Sequence, residues 1–379
     1  MNAAGAGWAV CGGGTGGHIY PALAVAAELR RLAPGDEIYF LGKEGGMEQE
    51  LASRAGLSFY GLPAAGLERN LTPRNVVALW KAMSGTQQAL KLFHRLPVKA
   101  ILGTGGFVCG PVILAAAMLR IPSIVHESNA VPGLTNKLLG AMVTRVAVAY
   151  PEAAAPFPAK KTVVTGFPLR PDLNRSSREE GCLTFGLDPA KRVLLVFPGS
   201  LAARRVNRAV AEVLPKLFRR MPDLQILWMT GKADYALARR LVEKFALPVT
   251  IREFIHEVPA AYAAADLVLA RAGAGTLAEL AATGKPAILV PYPYATHNHQ
   301  ERNAGFMLAA GSAELLADES LDGDALLEKV REVFAKLEGM TQRAAELRAR
   351  YPQGAAEVLA KMLLALAADR TPSAGGQKG

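Results

Sequence analysis

Four clusters of residues in this chain are equipped for chemistry, and each follows a short apolar run. The first is Gly12-Gly13-Gly14-Thr15-Gly16-Gly17-His18, with five glycines in six positions ahead of the histidine. Glycine takes positive φ at no Cβ cost and lets backbone N–H groups come close to an anion. An amphipathic segment follows at once, and a helix start there adds partial positive charge, so the stretch reads as a phosphate cradle. A tight turn without a ligand is the competing reading, but it needs fewer glycines. His18 beside an anion is a candidate acid or base, or a plain helix-start residue. The second cluster, Gly103-Thr104-Gly105-Gly106-Phe107, is either a second anion site or a wall of the first. The third is His126, Glu127, Ser128 and Asn129, delivered by Ser123-Ile124-Val125 to a strand end, where ligands of open parallel sheets bind. Capping or loop-fixing is the alternative for that quartet. The fourth is Arg271-Ala272-Gly273-Ala274-Gly275-Thr276, opening a helix that carries Glu279. With Arg170 and Ser200 it has the means to grip a nucleotide diphosphate, and a carboxylate one turn into such a helix suits ribose hydroxyls. Surface solvation is the plain alternative for Glu279.

The elements that must position these clusters follow a βαβ rhythm. Strands are expected at 8–11, 37–41, 58–61, 100–102 and 123–125, with helices at 20–32, 46–55, 73–94 and 111–119. Four prolines within 147–168 and a polar stretch at 176–181 mark a junction. The rhythm then restarts, with strands at 193–197, 225–230, 249–252, 267–270 and 287–290 and helices at 203–220, 233–245, 259–264, 277–283 and from 301. A last helix is expected at 355–368, then a disordered tail at 371–379. The expected fold is α/β: two Rossmann-like, doubly wound domains facing across a cleft, the usual place for a small-molecule site. The first domain spans 1–165, with a helix at about 353–369 packing back on it, and the second spans 166–352. Gly12, Gly14 and Gly17 satisfy GxGxxG, but the second strand ends in Gly42-Lys43 rather than an acid, and His18 stands where a Walker loop needs lysine. Both NAD and ATP lose ground.

The 379 residues carry a net charge of +10, which raises nucleic acid, anionic membrane or phosphorylated substrates as partners. Location decides among them. Residues 69–126 contain no Asp or Glu, while Arg69, Arg74, Lys81, Lys91, Arg95, Lys99 and Arg120 lie there. Within that stretch Val76, Val77, Leu79, Trp80 and Met83 sit at helical spacing. They form either a core face or an interfacial patch meeting anionic lipid, and the missing acids favour the patch. Cys11, Cys109 and Cys182 show neither metal-ligand spacing nor a disulfide framework, which fits a reducing compartment. The N-terminus lacks a signal-peptide pattern, and the longest apolar run, 108–119, is too short to span a bilayer.

The stretches GGGTGGHIYPALAVA, LGTGGFVCGP, HESNAVPGLTNK, TGFPLRPD, RAGAGTLAELAATGKPAILVP and HNHQERNA, in that order, resemble the MurG family of UDP-N-acetylglucosamine:lipid I transferases of peptidoglycan synthesis. The resemblance covers nearly the whole chain. It implies a GT-B fold, with UDP-GlcNAc held mainly by the C-terminal domain and undecaprenyl-pyrophosphoryl-MurNAc-pentapeptide by the N-terminal one. The MurNAc 4-hydroxyl would attack the anomeric carbon of UDP-GlcNAc and give a β-1,4 bond with inversion. Carried onto this chain, Gly14, Thr15, Gly16, Gly17 and His18, with Gly105 and Gly106, surround the acceptor pyrophosphate, and His18 is the candidate base. His126, Glu127 and Asn129 fall in the acceptor-side motif, Glu127 as a second catalytic candidate. On the donor side Arg170 and Ser200 take phosphate, the Ile255 backbone takes uracil, the Ala274 backbone with Gln300 or His299 takes the sugar, Glu279 takes ribose, and Gly275 and Thr276 belong to the same donor loop. Neither metal nor cofactor is expected, nor nucleic acid. The place implied is peripheral, on the cytoplasmic face of the cell membrane.

Three departures stand out. Phe167 occupies a position where the family usually has Asn, Ser128 one where it has Gln, and Pro198-Gly199-Ser200-Leu201-Ala202-Ala203 replaces a GGSxGA loop. Competing readings are a related GT-B glycosyltransferase with another lipid acceptor, a UDP-GlcNAc epimerase and a non-enzymatic membrane-binding module.

Overall fold

The computed structural model describes residues 7–66, 73–199, 204–294 and 298–369, and of Arg74 only the backbone. Arg69, Ser200, the Arg74 side chain and the expected tail at 371–379 lie outside the described residues. The chain forms two compact units, one running to Arg170 and resuming at Pro352, the other spanning Pro171–Tyr351.

In the first unit the elements are β1 (Gly7–Cys11), α1 (Gly16–Leu32), β2 (Ile38–Lys43), α2 (Met47–Arg54), β3 (Ser58–Leu62), α3 (Pro73–Arg95), β4 (Val98–Gly103), α4 (Cys109–Met118), β5 (Ser123–Glu127), α5 (Leu134–Gly140), β6 (Arg145–Val148) and β7 (Thr162–Val164). The strands make one parallel sheet in the order β3-β2-β1-β4-β5-β6-β7. Every residue of β1 and β5 is buried, as expected of parallel strands covered on both faces. β6 and β7 were not expected from the sequence. Three or four residues are too few to show a period, and β7 leaves Val163 and Val164 exposed at the sheet edge.

The first unit keeps TGFPLR for itself, past the expected boundary at 165, because bonds hold that stretch. Thr165 N–H donates to the Val148 carbonyl at 3.0 Å, and the buried Phe167 ring meets His126 edge-on. The Arg170 guanidinium lies over the Tyr20 ring at 5.5 Å. The returning helix near the C-terminus docks its apolar stripe, Ala356, Leu359, Ala360 and Leu363, among Trp8, Val10, Ile19, Ala22 and Leu29.

The second unit contains α6 (Arg178–Phe185), β8 (Arg192–Phe197), α7 (Arg204–Arg220), β9 (Leu224–Met229), α8 (Lys232–Phe245), β10 (Val249–Arg252), α9 (Val258–Ala264), β11 (Leu267–Ala270), α10 (Ala274–Thr283), β12 (Ala287–Leu289), α11 (His299–Ala309), β13 (Ala313–Leu315), α12 (Gly323–Ala335) and α13 (Leu337–Arg350). The returning helix is α14 (Ala355–Ala368). The second sheet is again parallel, ordered β10-β9-β8-β11-β12-β13. Val206, Val210, Val213 and Leu217 of α7 pack with Leu326, Val330 and Val333 of α12 over Leu194, Val196 and Trp228. The polar stretch at 176–181, expected to be junction, instead starts α6. Ser177 Oγ accepts from Glu180 N–H, and the Glu180 carboxylate accepts from Ser177 N–H, the reciprocal capping box that nucleates a helix.

Both sheets reverse their winding direction beside the first strand of each unit, between β1 and β4 and between β8 and β11. Those are the topological switch points, and the carboxyl ends of the strands there open toward a ligand.

Candidate active site

At the first switch point the two glycine loops of the N-terminal unit are tied into one body. Thr104 is the knot: its N–H donates to the Cys11 carbonyl at 2.8 Å, and its hydroxyl lies 2.6 Å from the His18 carbonyl and 3.1 Å from that of Cys11. Gly13 N–H donates to the Gly105 carbonyl at 3.3 Å. Gly105, at φ +108°, has the His18 ring where a Cβ would stand, and Gly106, at φ +85°, has the Gly13 carbonyl there. Glycine is required at both on two counts, close approach and backbone conformation. The second loop is therefore a wall of the first. Thr15 is the N-cap of α1 in extended conformation, its side chain makes no capping bond, and no acid stands in the first turn. The loop and helix start thus offer an anion backbone donors and an uncompensated dipole.

His18 Nδ1 lies 3.0 Å from the Thr104 carbonyl oxygen. A carbonyl only accepts, so in the neutral ring Nδ1 carries the proton and Nε2 the lone pair. That is the tautomer a general base needs, and Thr104 sets it.

The HESN quartet behaves differently. His126 is fully buried, with Nε2–H donating to the Gly166 carbonyl at 3.0 Å and Nδ1 accepting from the Ser128 hydroxyl at 3.3 Å. Burial lowers its pKa to about 4, the nearby His18 adding to the effect against the Gly166 bond and Glu127. Glu127 is also buried. Its Oε1 accepts from the backbone and side-chain amides of Asn129 at 2.9 and 3.2 Å, and Oε2 from Gly133 N–H at 3.0 Å and Asn136 Nδ2 at 2.9 Å. These bonds correct the expectation for both residues: His126 is shut away from a ligand, and the Glu127 carboxylate fixes the 129–136 loop instead of serving as a base. Asn129 remains half-buried at the loop start.

In the second unit Gly273 caps α10 without a side-chain bond, and no acid occupies its first turn, so the N–H groups of Ala274, Gly275 and Thr276 begin a helix with an open anion end. Glu279, half-buried, accepts at Oε2 from the Tyr262 hydroxyl at 2.8 Å. Ile255 is wholly buried, main chain included, and no exposed group of it faces a ligand in this structure. Gln300 Oε1 accepts from Tyr292 N–H at 2.9 Å, so the amide nitrogen is the donor end of this side chain at the start of α11 beside His299. Arg271 is a correction. Its buried guanidinium donates to the Val290 and Pro291 carbonyls, pairs with Asp318 and lies against the Tyr292 ring, so it braces the 290–292 turn and is spent before a diphosphate arrives. Arg170 belongs to the first unit, on Tyr20, two residues from His18. Thr104, Asn136, Tyr20 and Tyr262 carry supporting roles that no spacing in the sequence signals. Among the described residues no three His, Cys, Asp or Glu side chains gather as metal ligands.

Residues 8–148 match the glycosyltransferase family 28 N-terminal domain and residues 193–358 its C-terminal domain. A protein of Desulforudis audaxviator named UDP-N-acetylglucosamine--N-acetylmuramyl-(pentapeptide) pyrophosphoryl-undecaprenol N-acetylglucosamine transferase is 42% identical over 348 residues, 89% of this chain and 93% of that protein. The chain belongs to the MurG family of glycosyltransferases. The crystal structure of Acinetobacter baumannii MurG agrees, at 29% identity and TM-score 0.71 over 95% of this chain and 99% of that one, and the fold is GT-B. A UDP-GlcNAc 2-epimerase from Neisseria meningitidis, bound to UDP-GlcNAc, superposes with TM-score 0.67 over 94% of this chain and 99% of that one. At 13% identity it shares the fold alone.

One further surface of this MurG-family chain is apolar and exposed. On α3, Val76, Val77, Leu79, Trp80 and Met83 are exposed, Trp80 at 73%, with Lys81 among them. The core reading of this helix is thereby set aside, since α3 turns its small residues Ala78 and Ala89 inward. Pro63, Val76, Val77, Trp80, Lys81 and Ser84 line a cavity of about 300 Å³. Among the described residues no helix is long and apolar enough to cross a membrane.

Proposed function

We infer that this chain transfers N-acetylglucosamine from UDP-GlcNAc to the 4-hydroxyl of MurNAc in an undecaprenyl-pyrophosphoryl acceptor, giving a β-1,4 bond with inversion. The observation that carries the reading is the family membership over both domains, with a separate helix-start anion site at the switch point of each sheet. Two phosphorylated substrates need two such sites. Gly14 to Gly17 receive the acceptor pyrophosphate, walled by Gly105 and Gly106, and His18 Nε2 removes the proton from the attacking hydroxyl. Asn129 lies on the acceptor side. Ala274, Gly275 and Thr276 N–H groups, with Ser200 and Arg170, stabilise the departing UDP, Glu279 takes its ribose, the Ile255 backbone its uracil, and Gln300 and His299 the sugar. The charge that develops on the leaving diphosphate is thus met by fixed dipoles and cations. Neither a metal nor a cofactor is part of the proposal.

The exposed α3 face with Lys81, to which the sequence adds Arg69 and Arg74 as neighbouring cations, seats the protein peripherally on the anionic inner leaflet, where the lipid-linked acceptor lies. Trp and aliphatic side chains enter the headgroup boundary while lysine stays with the phosphates. The test of function is UDP release from UDP-GlcNAc with and without a lipid-linked MurNAc-pentapeptide. Release only with acceptor, together with a lipid-linked disaccharide product, is expected. Donor turnover without acceptor would move the protein to the epimerases.

A further inference from the structure

Tyr262 lies on α9 and Glu279 on α10, and the tyrosine hydroxyl donates to Glu279 Oε2 across 2.8 Å. The tyrosine is 1% exposed, and its ring stands edge-to-face on Phe197, centroids 5.8 Å apart, at the last residue of β8. A glutamate on a helix face has three soft torsions, whereas a phenol with two torsions and packing on all sides has one position. The buried ring thus holds the half-buried carboxylate in place.

We propose that Tyr262 is a positioning residue: it orients the Glu279 carboxylate toward the ribose diol of the uridine nucleotide and so sets the preference for a ribo- over a 2′-deoxyribonucleotide. The proposal rests on the assignment of Glu279 to ribose. A ribose 2′-hydroxyl donates to an ionised carboxylate, and a hydrogen bond to a charged group is among the stronger neutral-to-ion contacts. A carboxylate already fixed in the acceptor position forms that bond without losing rotamer freedom, and an analogue lacking the hydroxyl forfeits it.

The experiment is calorimetric titration of the full chain with UDP and with 2′-deoxy-UDP, for the wild type, Tyr262→Phe and Glu279→Ala. The wild type is expected to prefer UDP by about tenfold or more, the worth of one hydrogen bond to a charged group. Glu279→Ala should bring the ratio close to one. Tyr262→Phe keeps the ring on Phe197, and it should reduce the ratio to about threefold through weaker UDP binding, with 2′-deoxy-UDP affinity unchanged. A wild-type ratio in Tyr262→Phe, or equal weakening of both nucleotides, overturns the positioning role while leaving the ribose assignment standing, provided Glu279→Ala has lost the preference. An unchanged ratio in Glu279→Ala overturns the ribose assignment itself, and the proposal with it.

Discussion

His18 shows how one side chain is prepared by its neighbours. The Thr104 carbonyl fixes the ring tautomer, and Gly105 lets the second loop lie flat against that ring. If Nε2 takes the acceptor proton, His18→Ala lowers kcat by about a hundredfold or more with acceptor binding kept. A kcat within a few fold of wild type excludes the role. His126, the other histidine of this region, is a stability element. Its folded pKa of about 4 lies below the ordinary 6.5, so the neutral form is favoured in the fold. The stability it contributes is complete above pH 6.5 and is lost as pH falls through 4, because the unfolded chain takes up the proton first. Between pH 7.5 and 5 the loss is about 2 kcal/mol. Urea unfolding of wild type and His126→Asn at both pH values measures it: the variant should show a shallower pH dependence by that amount. Two departures from the family pattern meet at this residue, for Ser128 bonds to its Nδ1 and Phe167 packs on its ring. Nothing in their separation along the chain shows that they share a neighbour.

At the scale of elements, α14 is the clearest dependence of one segment on another far away in sequence. Leu359 and Leu363 are fully buried among residues of β1 and α1. Leu359→Ala should cost about 3 kcal/mol in denaturant unfolding, within the range for a buried leucine. A loss under about 1 kcal/mol would mean that α14 is loosely held. The apolar stripe of this helix was legible, because helical spacing is a local property. The start of α6 was equally local, a serine followed three residues later by a glutamate, yet the polar composition of 176–181 masked it. β6, β7 and β13 were not legible, since strands this short are defined by the neighbour they pair with and not by their own pattern.

At the scale of the whole molecule, the exposed apolar face of α3 and the absence of acids through 69–126 belong together. Burying Trp80 and its neighbours in lipid recovers apolar area that water now covers, and lysine close to an anionic surface adds about 1 kcal/mol each. Trp80→Ala with Lys81→Glu should therefore weaken binding to phosphatidylglycerol-containing vesicles by about tenfold or more, with UDP affinity unchanged. Equal partitioning of variant and wild type would remove α3 from the membrane.

The sequence by itself determined the fold class and the two glycine-led helix starts proposed to take anions, because both are written in local terms: the period of apolar residues, and glycines set between a strand and a helix. It also marked α3 by composition, without deciding between core and surface. Tertiary structure alone decided which polar side chains are already bonded within the fold. Parallel strands joined by crossovers bring Thr104 to Cys11 and His18 across 93 and 86 positions of sequence, and place the Cys11 and Cys109 thiols 3.5 Å apart. The same packing buried His126, spent Glu127 on its loop and Arg271 on Asp318, and put Tyr262 against Glu279. A residue type states what a side chain is able to donate or accept, and only the folded neighbourhood states which partners have already claimed it.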